Sequence, residues 1–277
     1  MPLSHLPAFL SRRFAALAAW LDRRTAARLP VLLAGILFAC RRRTITAWFR
    51  AAGITDDFRA AYHTVWAVGR EADHMAVSVL GIVRPLLPVS GRLFFAIDDT
   101  PTPRYGPQVE GAGIHHNPSP GPAGEKFVYG HVWVTLAWLG KHPVCDTLAL
   151  PLRAALYVRV KDVPKVPPQR RPAFRTKLEM AAEQRHWLKI WLPAGREVWV
   201  VVDGGYAKQP FLRAARAEDI VVISRLPRNA ALRSLPDLRR RAGQRGPLPT
   251  YGKERFNLAK RAGQRRGWQR VECVQYG

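Results

Sequence analysis

The pattern of apolar and polar positions divides the chain into two regions with different periodicity. In the first region, apolar residues recur at helical spacing, as in SRRFAALAAWLDRRTAAR, where Phe14, Leu17 and Leu21 share one face. From residue 91 onward, short runs rich in β-branched and aromatic residues predominate, and such runs are typical of strands. We therefore predict an all-α region over 1–90, followed by a domain built on a β-sheet.

Two kinds of signal locate helix boundaries in the first region. Pro30 suits the first turn of a second helix, because proline fixes φ and has no N–H group that needs a partner there. Thr44 or Thr46 can cap a third, short helix that ends before Gly53. Residues 58–87 are predicted to form one or two further helices.

The stretch RRRTITAWFRAAGI, with the helix before it, also has the elements of a helix-turn-helix. In that interpretation the basic turn contacts phosphates and the short helix lies near the bases of DNA. The residues concerned are Arg41, Arg42, Arg43, Thr44, Thr46 and Arg50. A small helical bundle with a solvated basic turn explains the same pattern equally well.

The second region predicts secondary structure in the order β-β-β-α-β-α-β. The strands are RLFFAI, KFVYGHVWVTLAWL, TLALPLRAALYVRV, EVWVVVD and DIVVISRL, and the helices cover 172–192 and 208–218. A meander of three strands followed by alternating helix and strand is the order of the ribonuclease H-like fold. The predicted fold class is thus α+β or α/β, with a ribonuclease H-like mixed sheet after an all-α amino-terminal region.

Two aspartates stand at the ends of strands that are neighbours in such a sheet. Asp99 closes the first strand in LFFAIDDTPTPRYG, and Asp203 closes the fourth. Each aspartate alone can be explained as a turn residue, because aspartate is common in the turns that follow strands. The sequence DGG at 203–205 is itself typical of a turn. Together they are expected to converge. Carboxylates are ligands that Mg²⁺ prefers, and two such ions about 4 Å apart can assist phosphodiester cleavage.

The charge of the chain changes this picture by indicating a partner. Lys and Arg number 44 against 20 Asp and Glu, a net charge of +24, which favours a polyanion. An anionic membrane is the second candidate, but the longest apolar stretch, 29–40, is too short to span a bilayer. The three cysteines form neither a disulfide framework nor a CxxC pair, which favours a reducing compartment. We therefore predict a cytoplasmic, nucleoid-associated protein that binds DNA or RNA and no membrane.

Three stretches resemble the DDE transposases of bacterial insertion sequences, whose catalytic domain is ribonuclease H-like. They are AIDDTPTPRYGPQVEGAGIHHNPSPGPAGEKFVYGHVWVTLA, VWVVVDGGYAKQPFLRAA and RRRTITAWFRAAGI. The resemblance covers most of the chain and is most specific over 97–137. It implies DNA transposition, in which metal-dependent strand cleavage at insertion-sequence ends is followed by strand transfer into target DNA. Joining two element ends also makes a homodimer plausible.

The resemblance assigns catalytic residues as well. The first catalytic aspartate of the family falls on Asp99, before Thr100, with Asp98 as the alternative, and the second falls on Asp203. These residues would hold Mg²⁺ or Mn²⁺, with two ions in the complete active site.

The third catalytic residue of the family, a glutamate on a later helix, has no counterpart that the sequence identifies. The acids after Asp203 are Glu218, Asp219, Asp237, Glu254 and Glu272, and none is predicted to lie on a long amphipathic helix. We therefore expect a truncated or frameshifted transposase. The alternatives are a DNA-binding remnant without cleavage activity and a related nuclease or resolvase-like enzyme without strand transfer.

The last segment, 227–277, is predicted to be an Arg-rich, incomplete insertion after a catalytic core over 91–226. Residues 225–277 carry 14 basic and 3 acidic groups, and RAGQR occurs twice in this stretch. Such a basic loop suits contact with the DNA backbone. The predicted contacts are Arg239, Arg240, Arg241, Lys253, Arg265 and Arg266, together with Lys208 at a helix start. A disordered basic tail is an equally good interpretation.

Three of the histidines that follow the acidic pair are weaker candidates. His115 and His116 are predicted to lie in a Gly- and Pro-rich loop, where adjacent histidines cannot easily hold one metal ion. Contact with DNA or a role in ordering the loop is favoured over zinc binding. His131 lies within a strand and is predicted to be a hydrogen-bonded core residue.

Overall fold

The computed structural model of the protein describes residues 7–40, 44–106, 108–117, 124–226, 230–237, 246–264 and 266. The helices are α1 Ala8–Leu17, α2 Arg23–Phe38, α3 Ile45–Ala51, α4 Arg59–Arg70, α5 Ala72–Val83, α6 Lys177–Trp191, α7 Gln209–Ala217 and α8 Leu258–Ala262. The strands are β1 Leu93–Pro103, β2 Gly113–His116, β3 Phe127–His142, β4 Asp146–Tyr157, β5 Val198–Val202, β6 Ile220–Ser224, β7 Leu232–Arg233 and β8 Arg255–Phe256.

The start of α2 differs from the prediction. Asp22 caps the helix, because its Oδ1 accepts the N–H groups of Arg24 at 3.0 Å and Thr25 at 3.2 Å. This cap separates α1 from α2 within a stretch whose apolar spacing looks continuous. Pro30 therefore lies inside α2 and not in its first turn, and the predicted helix start at Pro30 is wrong.

Helix α3 begins and ends as predicted. The Thr44 hydroxyl accepts the Ala47 N–H at 3.3 Å, which makes Thr44 the N-cap residue. The helix ends at Ala51, and Gly53 follows with φ +83°, a conformation that favours glycine. Two helices, α4 and α5, cover most of 58–87, as the sequence indicates.

The helices of the amino-terminal region pack closely enough for one glycine to be required. A Cβ atom at Gly35 of α2 would overlap the carbonyl oxygen of Trp48 on α3. Next to this crossing, Phe49 is fully buried and packs with Leu32 and Ala61 in a small core. The region is therefore a packed bundle with α3 held against α2.

The second region is the ribonuclease H-like mixed sheet that the sequence predicts. Strand β1 lies at its centre, antiparallel to β3 and parallel to β5, and β6 is parallel to β5. Strands β2 and β4 both pair antiparallel with β3. A separate two-stranded ladder joins β7 to β8. The connection from β5 through α7 to β6 is a βαβ unit.

Strand β1 is longer than predicted and contains the acidic pair. Its pairing with β5 stops at Ile97, opposite Val202, but its pairing with β3 continues as far as Pro103, opposite Gly130. The expectation that the strand closes at Asp99 is therefore wrong. The carboxylates lie within β1, at the level where the neighbouring strand ends.

One face of the sheet is a core and the other is open. Leu93, Phe95 and Ile97 of β1 are buried against residues of α5, α6 and α7. On the opposite face, Phe94, Val221 and Ile223 are 37%, 41% and 38% exposed. Because side chains alternate along a strand, neighbouring residues of β1 belong to different faces.

A buried glutamine fixes α6 on the core face. The Nε2 of Gln184 donates to the carbonyl oxygen of Val134 in β3 at 3.1 Å, and its Oε1 accepts from Arg153 in β4 at 3.1 Å. Arg153 also pairs with Asp73 of α5 at 2.9 Å. These contacts join α5, the sheet and α6, so they set the position of the α6 amino terminus.

Candidate active site

Asp98 and Asp203 occupy equivalent places on two adjacent parallel strands. Asp98 follows Ile97, and Asp203 follows Val202, the residue that pairs with Ile97 in the register of β1 and β5. Ile97 and Val202 are buried on the core face, so the alternation places Asp98 on the open face. Both Asp98 and Asp203 are exposed.

The surroundings of Asp98 disfavour its ionised form. Partial desolvation of its carboxylate raises the pKa of Asp98, and the negative charges of Asp99 and Asp203 raise it further. The backbone N–H of Asp99, which donates to Asp98 Oδ1 at 2.8 Å, and the charge of Lys177 act in the opposite direction. A concentration of negative charge of this kind attracts a cation.

Asp99 has different surroundings, because it lies on the core side of β1. Its Oδ2 is 2.5 Å from Lys177 Nζ at the start of α6, and its Oδ1 accepts the hydroxyl of Tyr206 at 3.1 Å. Burial and the Asp99 charge raise the pKa of Tyr206, so the phenol keeps its proton and donates. Lys177 Nζ also lies 5.5 Å from the ring centre of Tyr157.

The turn after β5 connects the two aspartates. The carbonyl oxygen of Asp203 accepts the N–H of Tyr206 at 2.9 Å, and its side-chain Oδ1 accepts the N–H of Gly204 at 2.6 Å. This is the turn that the DGG sequence at 203–205 predicts. The turn also brings the hydroxyl of Tyr206 to Asp99.

The carboxylates line an open cavity of about 1080 Å³ at the ends of β5 and β6. Its polar lining consists of Asp98, Asp99, Thr100, His116, Asn117, Lys177, Asp203, Ser224 and Arg225. Its lining combines three acids with the cations Lys177 and Arg225, and Lys177 pairs with Asp99. This arrangement can hold a phosphate group next to a bound cation.

The sequence did not single out Lys177, Tyr206 or Arg225. A signal for Lys177 was present, because it follows the Thr176 cap and stands where the helix dipole disfavours a cation. Tyr206 and Arg225 have no comparable signal. Their place in the site depends on the turn after β5 and on the end of β6.

The histidine predictions have mixed outcomes. His115 and His116 lie in β2, so their placement in a loop is wrong; the strand forms because residues 113–116 pair with β3. His116 lines the cavity, whereas His115 is buried. His131 is confirmed as a hydrogen-bonded core residue, with Nδ1 accepting from Arg104 at 3.2 Å.

The predicted DNA contacts lie away from this cavity or outside the described residues. Thr44, Arg50, Lys208, Lys253 and Arg266 are exposed, and Thr46 is half-buried beside Thr44. Lys208 is the N-cap residue of α7 and does not line the cavity. Arg41, Arg42, Arg43, Arg239, Arg240, Arg241 and Arg265 lie outside the described residues.

The candidates for a third carboxylate lie elsewhere as well. Glu218 forms an ion pair with Arg185, and its Oε1 lies 3.1 Å from Nδ1 of His186 on α6. Asp219 has φ +58° in the turn before β6, and Glu272 lies outside the described residues. Among the residues that the structure describes, Asp98, Asp99 and Asp203 are the acids of the cavity. Within that same part of the chain, no three His, Cys, Asp or Glu side chains form a group that could hold a metal ion.

The sequence model of the DDE superfamily endonucleases matches residues 16–275, and the chain belongs to this family. The resemblance to DDE transposases and the ribonuclease H-like fold are thereby confirmed, and the function is of the nuclease or transposase type, with DNA as substrate. The family generally uses divalent metal ions. No curated protein matches the chain. In the described part of the chain, no helix has the length and apolar character needed to cross a membrane.

Proposed function

We propose that the protein is a transposase that cleaves DNA at the ends of an insertion sequence and transfers the strand to target DNA. The observation that carries this proposal is the register position of Asp98 and Asp203 beside the cavity. Membership of the DDE superfamily endonucleases supports it. Water would be the nucleophile for cleavage, and a 3′-hydroxyl group for strand transfer.

The residues present fit a hard divalent cation. Asp98 and Asp203 offer oxygen ligands, which Mg²⁺ and Mn²⁺ prefer, and a bound cation would reduce their mutual repulsion. When bound, the ion would polarise the phosphate and lower the pKa of a bound water molecule. Asp99, the residue that the resemblance favours, is the alternative ligand, but in this structure both of its oxygens have partners.

The remaining polar residues of the cavity would bind the DNA. Arg225 and His116 both line the cavity, and both are exposed. Arginine suits phosphate because its planar group can donate two parallel hydrogen bonds. These contacts would hold the backbone so that the scissile phosphate lies over Asp98 and Asp203.

Nicking of supercoiled DNA that carries the element ends tests this function. The wild-type protein is expected to nick the DNA only with Mg²⁺ or Mn²⁺. Asp98→Asn and Asp203→Asn are each expected to lower the rate by about a thousandfold or more, because metal ions supply several kcal/mol of transition-state stabilisation. Glu254→Gln removes one acid outside the cavity and is expected to leave the rate unchanged.

Two outcomes would count against the proposal. If the wild-type protein binds the DNA but does not nick it with either ion, the chain is a DNA-binding protein without cleavage activity. If nicking occurs but no strand-transfer product forms, the protein is a nuclease and not a transposase.

A further inference from the structure

We propose that a second cavity of the protein binds a backbone phosphate of the DNA, apart from the phosphate that is cleaved. This cavity has a volume of about 980 Å³ and is lined by the loop before β2, by β2 and by the connection from β4 to α6. We call it the basic cavity, because its charged lining consists of the cations Arg159, Lys161 and Lys165 and the acids Glu110 and Asp162. This inference rests on the proposed function, since it takes DNA as the ligand.

A buried acid holds two of these cations in place. The side chain of Asp162 is 2% exposed, its Oδ1 accepts from Lys165 Nζ at 2.8 Å, and its Oδ2 accepts from Arg159 Nε at 2.5 Å. Arg159 also donates to the carbonyl oxygen of Ile114 in β2. Because one carboxylate neutralises only one of two positive charges, the cluster keeps a net positive charge.

The cluster packs directly against the backbone of β2 at Gly113. A Cβ atom at Gly113 would overlap the guanidinium group of Arg159 and the carboxylate of Asp162. Gly113 belongs to a regular strand, so the close approach of the ion pair, and not an unusual backbone conformation, is what requires a glycine. The position of the cations is therefore fixed by the strand itself.

The two lysines of the basic cavity can reach a ligand. Lys165 is 72% exposed, and Asp162 takes one of the three donors of its ammonium group. Lys161 is exposed as well. Glu110 contributes little free negative charge, because it pairs with Arg170 at 3.0 Å. Two ammonium groups beside a fixed guanidinium suit the compact negative charge of a phosphate.

The basic cavity and the active-site cavity share strand β2. Gly113 and Ile114 line the first, and His116 lines the second. Four residues of a strand span about 10 Å, and each strand of duplex DNA carries one phosphate per about 3.4 Å of helix axis. A DNA strand whose scissile phosphate lies at Asp98 and Asp203 would thus place a phosphate about three nucleotides away in the basic cavity.

The affinity of the full chain for a short DNA duplex tests this inference, measured by fluorescence anisotropy with a chelator over a series of salt concentrations. A lysine that contacts phosphate displaces a counterion, so Lys161→Met is expected to reduce the slope of log K against log salt by about 0.9. Affinity near physiological salt is expected to fall about fivefold. Lys161→Arg keeps the charge and should retain the slope. Lys189→Met, which removes the same charge from an exposed position on α6, is the matched control. Equal slopes for Lys161→Met and Lys189→Met would overturn the inference.

Asp162→Asn separates a positioned cluster from simple attraction by net charge. The substitution makes the protein more positive, so attraction by net charge alone predicts tighter binding to DNA. If Asp162 positions Lys165 for a phosphate, affinity should instead fall by about threefold. This loss should shrink in the Lys165→Met background, because the two residues act on one contact, whereas a general loss of structure would weaken both backgrounds equally. Tighter binding, or an equal loss in both backgrounds, would overturn the positioning role of Asp162.

Single neutral methylphosphonates in a duplex that carries an element end locate the contact. Substitution about three nucleotides from the scissile phosphate is expected to weaken binding of the wild-type protein and to have little further effect on Lys161→Met. If no substituted position distinguishes the two proteins, the basic cavity does not hold the DNA backbone and the inference fails. These measurements need no cleavage. Failure of the proposed function would appear as absence of nicking with Mg²⁺ or Mn²⁺, even where the salt slopes differ as expected.

Discussion

Ile97 and Val202 are the last residues that pair β1 with β5, and the residues that follow them are Asp98 and Asp203. The strand β1 continues along β3 while β5 ends, and both carboxylates line the cavity at this end of the sheet. Asp99, one residue further, belongs to the opposite face and contacts Lys177. The sheet therefore separates two adjacent acids into different environments.

Replacing Asp98 with Asn is expected to stabilise the metal-free protein at neutral pH. Burial and neighbouring charges raise the pKa of Asp98, so the folded state disfavours the ionised form that predominates at neutral pH. Below the ordinary Asp pKa of about 4 the carboxyl group is protonated in both states, and the benefit is expected to vanish.

Thermal unfolding with a chelator present, for wild type and Asp98→Asn, measures this effect. Asp98→Asn should melt at a higher temperature at neutral pH, and the difference should shrink on acidification. Glu254→Gln, an acid outside the cavity, serves as the control and should show no such difference. An equal or lower melting temperature for Asp98→Asn at neutral pH would contradict the expected repulsion.

Acidification is expected to destabilise the fold through His115. Burial lowers the pKa of His115 to about 4, assisted by the charges of Arg159 and Lys177. Between the ordinary pKa of about 6.5 and that value, the unfolded chain binds a proton that the folded chain does not. The free energy of unfolding should therefore fall as the pH falls through this window, by up to about 1.4 kcal/mol per pH unit.

Urea denaturation at several pH values checks the assignment to His115. His115→Gln is expected to flatten the pH dependence of stability between about 6.5 and 4. His116→Gln changes the exposed neighbour in the same strand and should leave that dependence as in the wild type. If both variants keep the wild-type slope, His115 is not its source.

Two glycine-to-alanine substitutions are expected to change the free energy of unfolding in opposite directions. Gly35→Ala would force a Cβ atom onto the carbonyl oxygen of Trp48 and should cost about 1–3 kcal/mol. Gly81 lies inside α5, and a Cβ atom there would meet nothing within 4 Å. Gly81→Ala should therefore stabilise the protein by about 0.5–1 kcal/mol, because alanine favours the helix. Chemical denaturation of both variants checks the sign, and destabilisation by Gly81→Ala would contradict the packing described for α5.

Gln184→Ala is expected to destabilise the protein by about 2–3 kcal/mol, because it removes the buried side chain that donates to the carbonyl of Val134 and accepts from Arg153. Lys189→Ala, on the exposed side of the same helix, should change the free energy of unfolding by less than about 0.5 kcal/mol. Equal effects of the two substitutions would show that Gln184 does not hold α6 to the sheet.

The sequence predicted those elements whose signals are local. The run VWVVVD marks β5 because strands buried on both faces are continuously apolar, and Thr44 marks the start of α3 because a cap acts on its own helix. The start of α2 was not predicted. Apolar residues keep their helical spacing across Asp22, although Asp22 is the residue that caps the new helix.

The site was only partly predictable, since its geometry depends on contacts between distant residues. The extension of β1 through DDTPTP was not predicted, because its two prolines and two acids are residues that strands disfavour. It forms because β3 supplies backbone partners as far as Gly130. The two faces of β1 could not be assigned without that extension. The ion pair of Asp99 with Lys177 joins residues from different elements, so no spacing in the sequence reveals it.

Calorimetric titration of Mn²⁺ into the wild-type protein, Asp98→Asn, Asp203→Asn and Glu254→Gln tests the central claim most directly. If Asp98 and Asp203 share a cation, each Asn variant should lose about tenfold or more in affinity, and Glu254→Gln should bind as the wild type does. Equal Mn²⁺ affinity in all four proteins would contradict a metal site at the ends of β1 and β5.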